Sequence, residues 1–180
     1  MRVVRRIITA LVVVVLGLLG CGLSLRIYMS REGEDRLAPN EVVNIAELRS
    51  PLPKPSFLAC PTGYCSTDEV ITSPVFDQPW NRLLEYWREV ISREKRLLIV
   101  AADPDNHRFV YIQRSAAFHF PDVITIEFLP IGPDRSSIAI FSRSRYGHYD
   151  FEKNRKRVEK WLALLEKVAR PAAPHRIRAQ

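Results

Sequence analysis

Apolar residues run without a charge from Ile7 to Leu25 (IITALVVVVLGLLGCGLSL). A helix of that length reaches roughly 28 Å at about 1.5 Å per residue, close to the roughly 30 Å of a bilayer's hydrocarbon core. Downstream the pattern changes to short alternating or helical periods. Glu69–Phe76 reads as a short strand. Asp77 is placed to cap a helix running to about Arg93, with Pro79 tolerated in its first turn. Trp80, Leu83, Leu84, Trp87 and Ile91 recur on one face of that helix, and Arg82, Glu85, Arg88 and Glu89 on the other. Four strands are predicted next, at Arg96–Ala102, His107–Ser115, Asp122–Ile131 and Ser136–Arg145, joined by Asp103-Pro104-Asp105-Asn106 and Gly132-Pro133-Asp134-Arg135 turns. A last helix, Phe151–Ala169, is capped by Asp150 and carries Val158, Trp161, Leu162, Leu165 and Val168 on one side.

Hairpin-length connections make consecutive strands antiparallel. Strand, helix, four strands, helix therefore predicts an α+β domain: an antiparallel meander of four to five strands, one face buried under two amphipathic helices. The expected organisation is an anchor or lipoprotein signal at 1–29, a Pro-punctuated stalk at 30–56, the α+β domain at 57–169 and a basic tail at 170–180. Within the stalk, Val42–Leu48 reads as a turn of helix or a docked strand, and Pro51–Pro55 as extended.

Charge orients the first segment. Arg2, Arg5 and Arg6 precede it and only Arg26 follows closely, so the positive-inside bias keeps the N-terminus cytoplasmic and exports the rest. Two fates fit. One is an uncleaved signal anchor. The other is a cleaved signal, with Leu18-Leu19-Gly20-Cys21 resembling a bacterial lipobox that would be cut before Cys21 and lipidated on its thiol. Leu23, Leu25, Ile27 and Tyr28 stay apolar past the cysteine, which favours the anchor. The net charge of +7 belongs largely to the flanks. With Arg2, Arg5, Arg6, Arg26, Arg170, Arg176 and Arg178 set aside, the remainder is nearly balanced, which argues against nucleic-acid binding.

Cys60 and Cys65 stand five apart in a Pro-rich loop. In an oxidising compartment the pair reads as a disulfide. Free thiols, a metal site or a redox pair are the rivals. The spacing is not Cys-x-x-Cys, no second pair exists, and no His lies within forty residues of Cys65. No cofactor or metal is implied.

The fourth strand leads into Ser142-Arg143-Ser144-Arg145-Tyr146-Gly147-His148-Tyr149-Asp150, followed by Asn154-Arg155-Lys156-Arg157. This resembles the C-terminal signature of an uncharacterised bacterial family, domain of unknown function 1499. Ser142, Ser144, Arg145, Gly147, Asp150, Asn154, Arg155 and Arg157 match it, and His148 stands where that family usually has Tyr. Ala59–Cys65 is similar to the Cys-Pro loop of some members. The resemblance spans roughly Phe57 to Val168. It implies an envelope-associated domain with a membrane or lipid anchor, and no particular reaction. From the residues alone, Arg143 and Arg145 share one strand face while Ser142 and Ser144 share the other. Asp150 suits a helix start or an ion pair with Arg145. Two readings stand. One is a strand-to-helix joint; the other is a polar or anionic ligand site built from Arg143, Arg145, His148, Asp150, Asn154 and Arg155.

Three functions follow as expectations. The first is a non-catalytic module on the extracytoplasmic (periplasmic) side of a bacterial cell membrane, binding an envelope protein, a cell-wall polymer or an anionic lipid. The second is a carrier enclosing a small apolar or anionic ligand between sheet and C-terminal helix, near Phe109, Tyr111, Phe128, Phe141 and Trp161. The third is a hydrolase using His148 with Arg145 and Asp150. His119, between two phenylalanines, reads as a packing residue, and no catalytic spacing motif occurs.

Overall fold

The computed structural model describes residues 2–29, 36–38 and 41–169. Helix α1 (Arg2–Met29) contains the whole apolar run. Its described side chains are exposed, and only Gly22 and Leu25 are partly covered. The run is apolar and long enough to cross a membrane. Residues 30–35, 39–40 and the expected basic tail lie outside the described residues.

The rest builds one sheet with two helices. In chain order its elements are β1 (Ser56–Cys60), β2 (Ile71–Thr72), β3 (Val75–Phe76), α2 (Trp80–Ser92), β4 (Leu97–Asp103), β5 (Arg108–Arg114), β6 (Pro121–Gly132), β7 (Arg135–Ser144) and α3 (Lys153–Ala169). β4 to β7 form the expected antiparallel meander, and β6 and β7 are its longest strands. The sheet as a whole is mixed, with seven strands in place of the predicted four or five. Its order is β2-β1-β7-β6-β5-β4, with β3 also on β7. β1 runs antiparallel to β7 and parallel to β2. β1 was hidden because its five residues sit between Pro55 and Pro61, where composition reads as loop. The single strand expected over Glu69–Phe76 is two short ones, broken at Ser73-Pro74.

Both faces of the sheet are covered, not one. On the first face, Ile124, Ile126, Phe128, Ile138 and Ile140 meet Leu83, Trp87, Val158, Trp161 and Leu165 of the two helices. Trp87 packs edge-on against Trp161 (5.4 Å between ring centroids) and Phe128 (6.4 Å). Each indole N–H finds an acceptor: Trp87 donates to the Tyr111 hydroxyl at 3.3 Å, and Trp161 to Glu94 at 2.9 Å. Buried aromatics need such polar partners.

The second face carries Leu58, Cys60, Ala139 and Phe141, which pack with Ile45 and Leu52 from the preceding segment. Residues 41–55, expected as stalk with Val42–Leu48 as a turn of helix or a docked strand, are docked through Ile45 and Leu52. Ile45 is fully buried and lies in a single 3-10 turn, Ile45–Glu47, capped by the Asn44 side chain. Glu127 holds this layer down. Only 2% exposed, it accepts from Arg108 Nε (2.7 Å), the Tyr64 hydroxyl (2.8 Å) and the Ile45 N–H (3.2 Å). A buried carboxylate is tolerable only when it is paired and hydrogen-bonded in this way. Burial, then the Glu127 carboxylate, pushes the Tyr64 hydroxyl above its ordinary value. The Cys60–Cys65 disulfide closes the loop that carries Tyr64.

The helix starts differ from expectation. Asp77 does not cap α2; Pro79 occupies the N-cap with no side-chain bond, and Asp77 pairs with Arg135 at 3.5 Å. α3 begins at Lys153, two residues late, because Phe151 and Glu152 hold φ of 56° and 58°. That left-handed conformation cannot continue an α-helix.

Replacing Trp87 with Ala removes the ring that joins α2, α3 and β6. We expect a loss of about 3–5 kcal/mol in urea unfolding of the detergent-solubilised chain. An effect below about 1 kcal/mol would mean this core is not where the domain is held together.

Candidate functional site

The two sides of β7 lead to two different clusters. Strand alternation sends Ser142 and Ser144 to the helix side and Arg143 and Arg145 to the other, as the sequence predicted. The helix-side cluster centres on Asn154 in the first turn of α3, which is 1% exposed. Its Oδ1 accepts from the Ser142 hydroxyl (2.7 Å) and Arg157 Nη1 (2.8 Å). Its Nδ2 donates to Asp150 (2.7 Å), Ser144 (3.1 Å) and the Pro55 carbonyl (3.4 Å). A carboxamide has two N–H donors and two acceptor lone pairs; three acceptors share the two N–H groups, so Asn154 has no capacity left. Asp150 also accepts from the backbone N–H of Glu152 and of Asn154, which fixes the left-handed turn and caps the helix. Arg157 extends the network to Gln113 (2.6 Å) on β5 and Asp122 (2.5 Å) on β6.

On the opposite side Arg145 makes a two-pronged pair with Glu41: Nε to Oε1 at 2.7 Å and Nη2 to Oε2 at 2.8 Å. Arg143 approaches the same carboxylate at 4.0 Å. Burial alone would raise the Glu41 pKa. The Arg145 hydrogen bond, the Ala38 N–H and the two positive charges outweigh it and hold the carboxyl below its usual value. Glu94 is likewise held low, with burial outweighed by bonds from Lys160, Trp161 and Gln113.

The six expected site residues are thus not one site. Asp150 and Asn154 belong to the joint. Arg143 and Arg145 lie across the sheet and bind Glu41, so the pair suggested between Arg145 and Asp150 does not form. Arg155 is exposed on α3, paired with Glu159 at 2.8 Å and lying over the Phe57 ring. His148 stands exposed in the loop before α3. Glu41, Asp122, Gln113 and Arg157 complete the clusters and were not among the expected site residues. Arg157 had one cue, its place in the Asn-Arg-Lys-Arg run. Glu41 had none, being 104 residues from its partner. Phe109, Tyr111, Phe128 and Trp161 are core and Phe141 faces the second layer; Phe109 and Tyr111 also border an open pocket of about 390 Å³ beside α2, and Trp161 borders a larger groove.

Beside the joint lies an open groove of about 760 Å³, with Asp122, Arg157 and Trp161 among its lining residues. Among the described residues, six cationic side chains line it against two carboxylates, Glu94 and Asp122, both already paired. Its rim holds Phe118, Tyr146, Tyr149 and Phe151, each at least 43% exposed. The Tyr149 and Phe151 rings meet at 5.0 Å. The 116–120 loop also reaches α1: a Cβ on Gly22 would lie 3.7 Å from the Phe118 ring. Partial desolvation, then the nearby charges of Arg26, Arg114 and Arg96, hold His119 below its ordinary pKa. Among the described residues, no group of three or more His, Cys, Asp or Glu is arranged to hold a metal ion.

Two predictions follow from the clusters. Arg157→Ala leaves Asp122 unpaired in a site only 10% exposed, and costs about 3 kcal/mol in urea unfolding, whereas Arg155→Ala, at an exposed pair, costs far less. Equal losses would show that burial of the joint is not what matters. The lowered carboxyls of Glu41 and Glu94 mean that the unfolded chain binds protons more readily than the folded one near the ordinary glutamate value of 4.5. Their stabilisation is complete above that value and lost as pH falls through the lowered ones. Glu41→Gln should therefore flatten the decline of Tm below about pH 4.5; an unchanged acid limb would contradict this pairing.

Compared with curated proteins, the chain matches none. A family model described as a protein of unknown function (DUF1499) matches residues 35–165, from the docked N-terminal segment through Leu165 of α3, and takes in both clusters. The chain belongs to the DUF1499 family.

Proposed function

We propose that this protein is a membrane-anchored, extracytoplasmic module of the bacterial envelope with a non-catalytic binding role. α1 stays attached as the anchor, with the arginines at its start on the cytoplasmic side. The observation that carries the reading is the saturation of the joint. The motif residues that look most like a site use their hydrogen-bonding capacity on one another, so they hold β7, α3 and the N-terminal segment in place. The neighbouring groove, with its surplus of positive charge and exposed rings, is then the surface offered to a ligand.

The hydrolase alternative is less well supported. His148, Arg145 and Asp150 do not converge: Glu41 holds Arg145 across the sheet, and the helix start occupies the Asp150 carboxylate. A general base needs to be within hydrogen-bond reach of the proton it takes. Lipidation at Cys21 remains the alternative fate of the leader; that thiol is free and exposed on α1.

Protease added to spheroplasts should digest the domain while α1 stays in carbonate-washed membranes. Intact mass should give the full-length chain less two hydrogens for the Cys60–Cys65 bond, and His148→Ala should leave the cellular phenotype unchanged. Recovery of the native chain as soluble cytoplasmic protein would contradict the anchored reading. Loss of the phenotype with His148→Ala in a folded chain would contradict the non-catalytic one.

A further inference from the structure

We propose that the groove beside α3 lies on the membrane that α1 spans and seats the headgroups of anionic phospholipids in that leaflet. This rests on the anchored-module reading and names its ligand.

Position is the first argument. The described side chains of α1 are exposed except near its C-terminal end, where Gly22 and Leu25 are partly covered. Phe118 reaches Gly22, which lies seven residues before the end of the helix at Met29. At about 1.5 Å per residue that is roughly 10 Å below the helix end. Leu25 ends the uncharged run and Arg26 follows it, so the lipid–water boundary falls close to these residues. The 116–120 loop therefore meets the helix three residues before the end of the uncharged run, roughly 5 Å inside the edge of the hydrocarbon core. A domain held clear of the bilayer on a spacer would not touch α1 there.

Residue chemistry is the second argument. Tyr146 and Tyr149 are of the type that concentrates at membrane–water interfaces, where a ring is half apolar and half wetted. Phe118 and Phe151 add apolar surface at the same rim; Phe151 is 68% exposed, which water alone does not favour. Cations stand among the rings. Lys153 has no ion pair among the described residues, and Lys156 has only a loose one to Glu152 at 3.9 Å. Lysines at that spacing beside interfacial rings attract anionic lipid through Coulomb force and counterion release, over about one Debye length. The groove is open and about 760 Å³, which suits a headgroup and its glycerol rather than a whole enclosed lipid.

The test uses the full chain in nanodiscs, of phosphatidylcholine alone or with about a third phosphatidylglycerol, read by amide hydrogen exchange. We expect residues 115–120 and 146–151 to exchange at least about fivefold more slowly in the anionic discs, with β6 unchanged. Lys153→Glu with Lys156→Glu should abolish the difference, and Lys153→Ala with Lys156→Ala should reduce it should reversed charges disturb α3. Equal exchange in both lipids overturns the proposal. So does equal protection by soluble glycerol phosphate in phosphatidylcholine discs, which would mean a soluble-ligand site. A chain that enters discs yet shows no lipid effect contradicts only this inference, whereas one that fails to enter discs contradicts the anchored module as well.

Discussion

Everything in the domain turns on a carboxamide with nothing left to give. Asn154 uses both donors and both lone pairs on Ser142, Ser144, Asp150, Arg157 and the Pro55 carbonyl. One side chain thereby ties the end of β7, the start of α3 and the segment entering β1. Arg157, one turn on, carries the tie to β5 and β6. Few polar groups sit this deep without every bond made, because a missing partner costs the full desolvation of the group left over. The angle at which α3 leaves the sheet is thus set by bonding geometry as well as by apolar packing, and the helix shares one open groove with the 116–120 loop.

The two faces of the sheet solve different problems. The helix face is a conventional apolar core, with Trp87, Trp161 and Phe128 in edge-on contact. The other face is closed by chain that lacks regular structure: the 3-10 turn around Ile45 and the loop closed by the Cys60–Cys65 disulfide. Beside the buried Ile45 and Leu52, two charged anchors hold these segments, Glu127 through Arg108, Tyr64 and the Ile45 N–H, and Glu41 through Arg145. A bond from a buried carboxylate to backbone specifies position where apolar contact alone would leave a segment free to slide.

What was legible in the sequence was local. The apolar leader, the amphipathic faces of α2 and α3, the β4–β7 meander and the division of Ser142 and Ser144 from Arg143 and Arg145 all follow from period and turn chemistry. The Asp150 cap was legible too, although the helix it caps starts late, since nothing in Phe151-Glu152 announces two left-handed residues. What was not legible was long-range. Glu127 sits between Ile126 and Phe128 and reads as the solvent side of an alternating strand; only the docked N-terminal layer makes that side an interior. Glu41 lies in a stretch whose prolines suggest a spacer. β1 is five residues flanked by prolines, and it pairs in parallel with β2 across a connection containing the Cys60–Cys65 disulfide, which periodicity does not encode.

The signature residues thus serve the architecture, and the recognition proposed for this protein falls to the surface they hold in place. A double-mutant cycle on Asn154→Ala and Arg157→Ala, read as unfolding free energy of the full chain in detergent, tests that assignment most directly. Members of one bonded network are non-additive, and a coupling of about 1–3 kcal/mol between the two is expected. Losses that simply add, to within about 0.5 kcal/mol, would show that the two side chains act independently and that the joint is not the unit described.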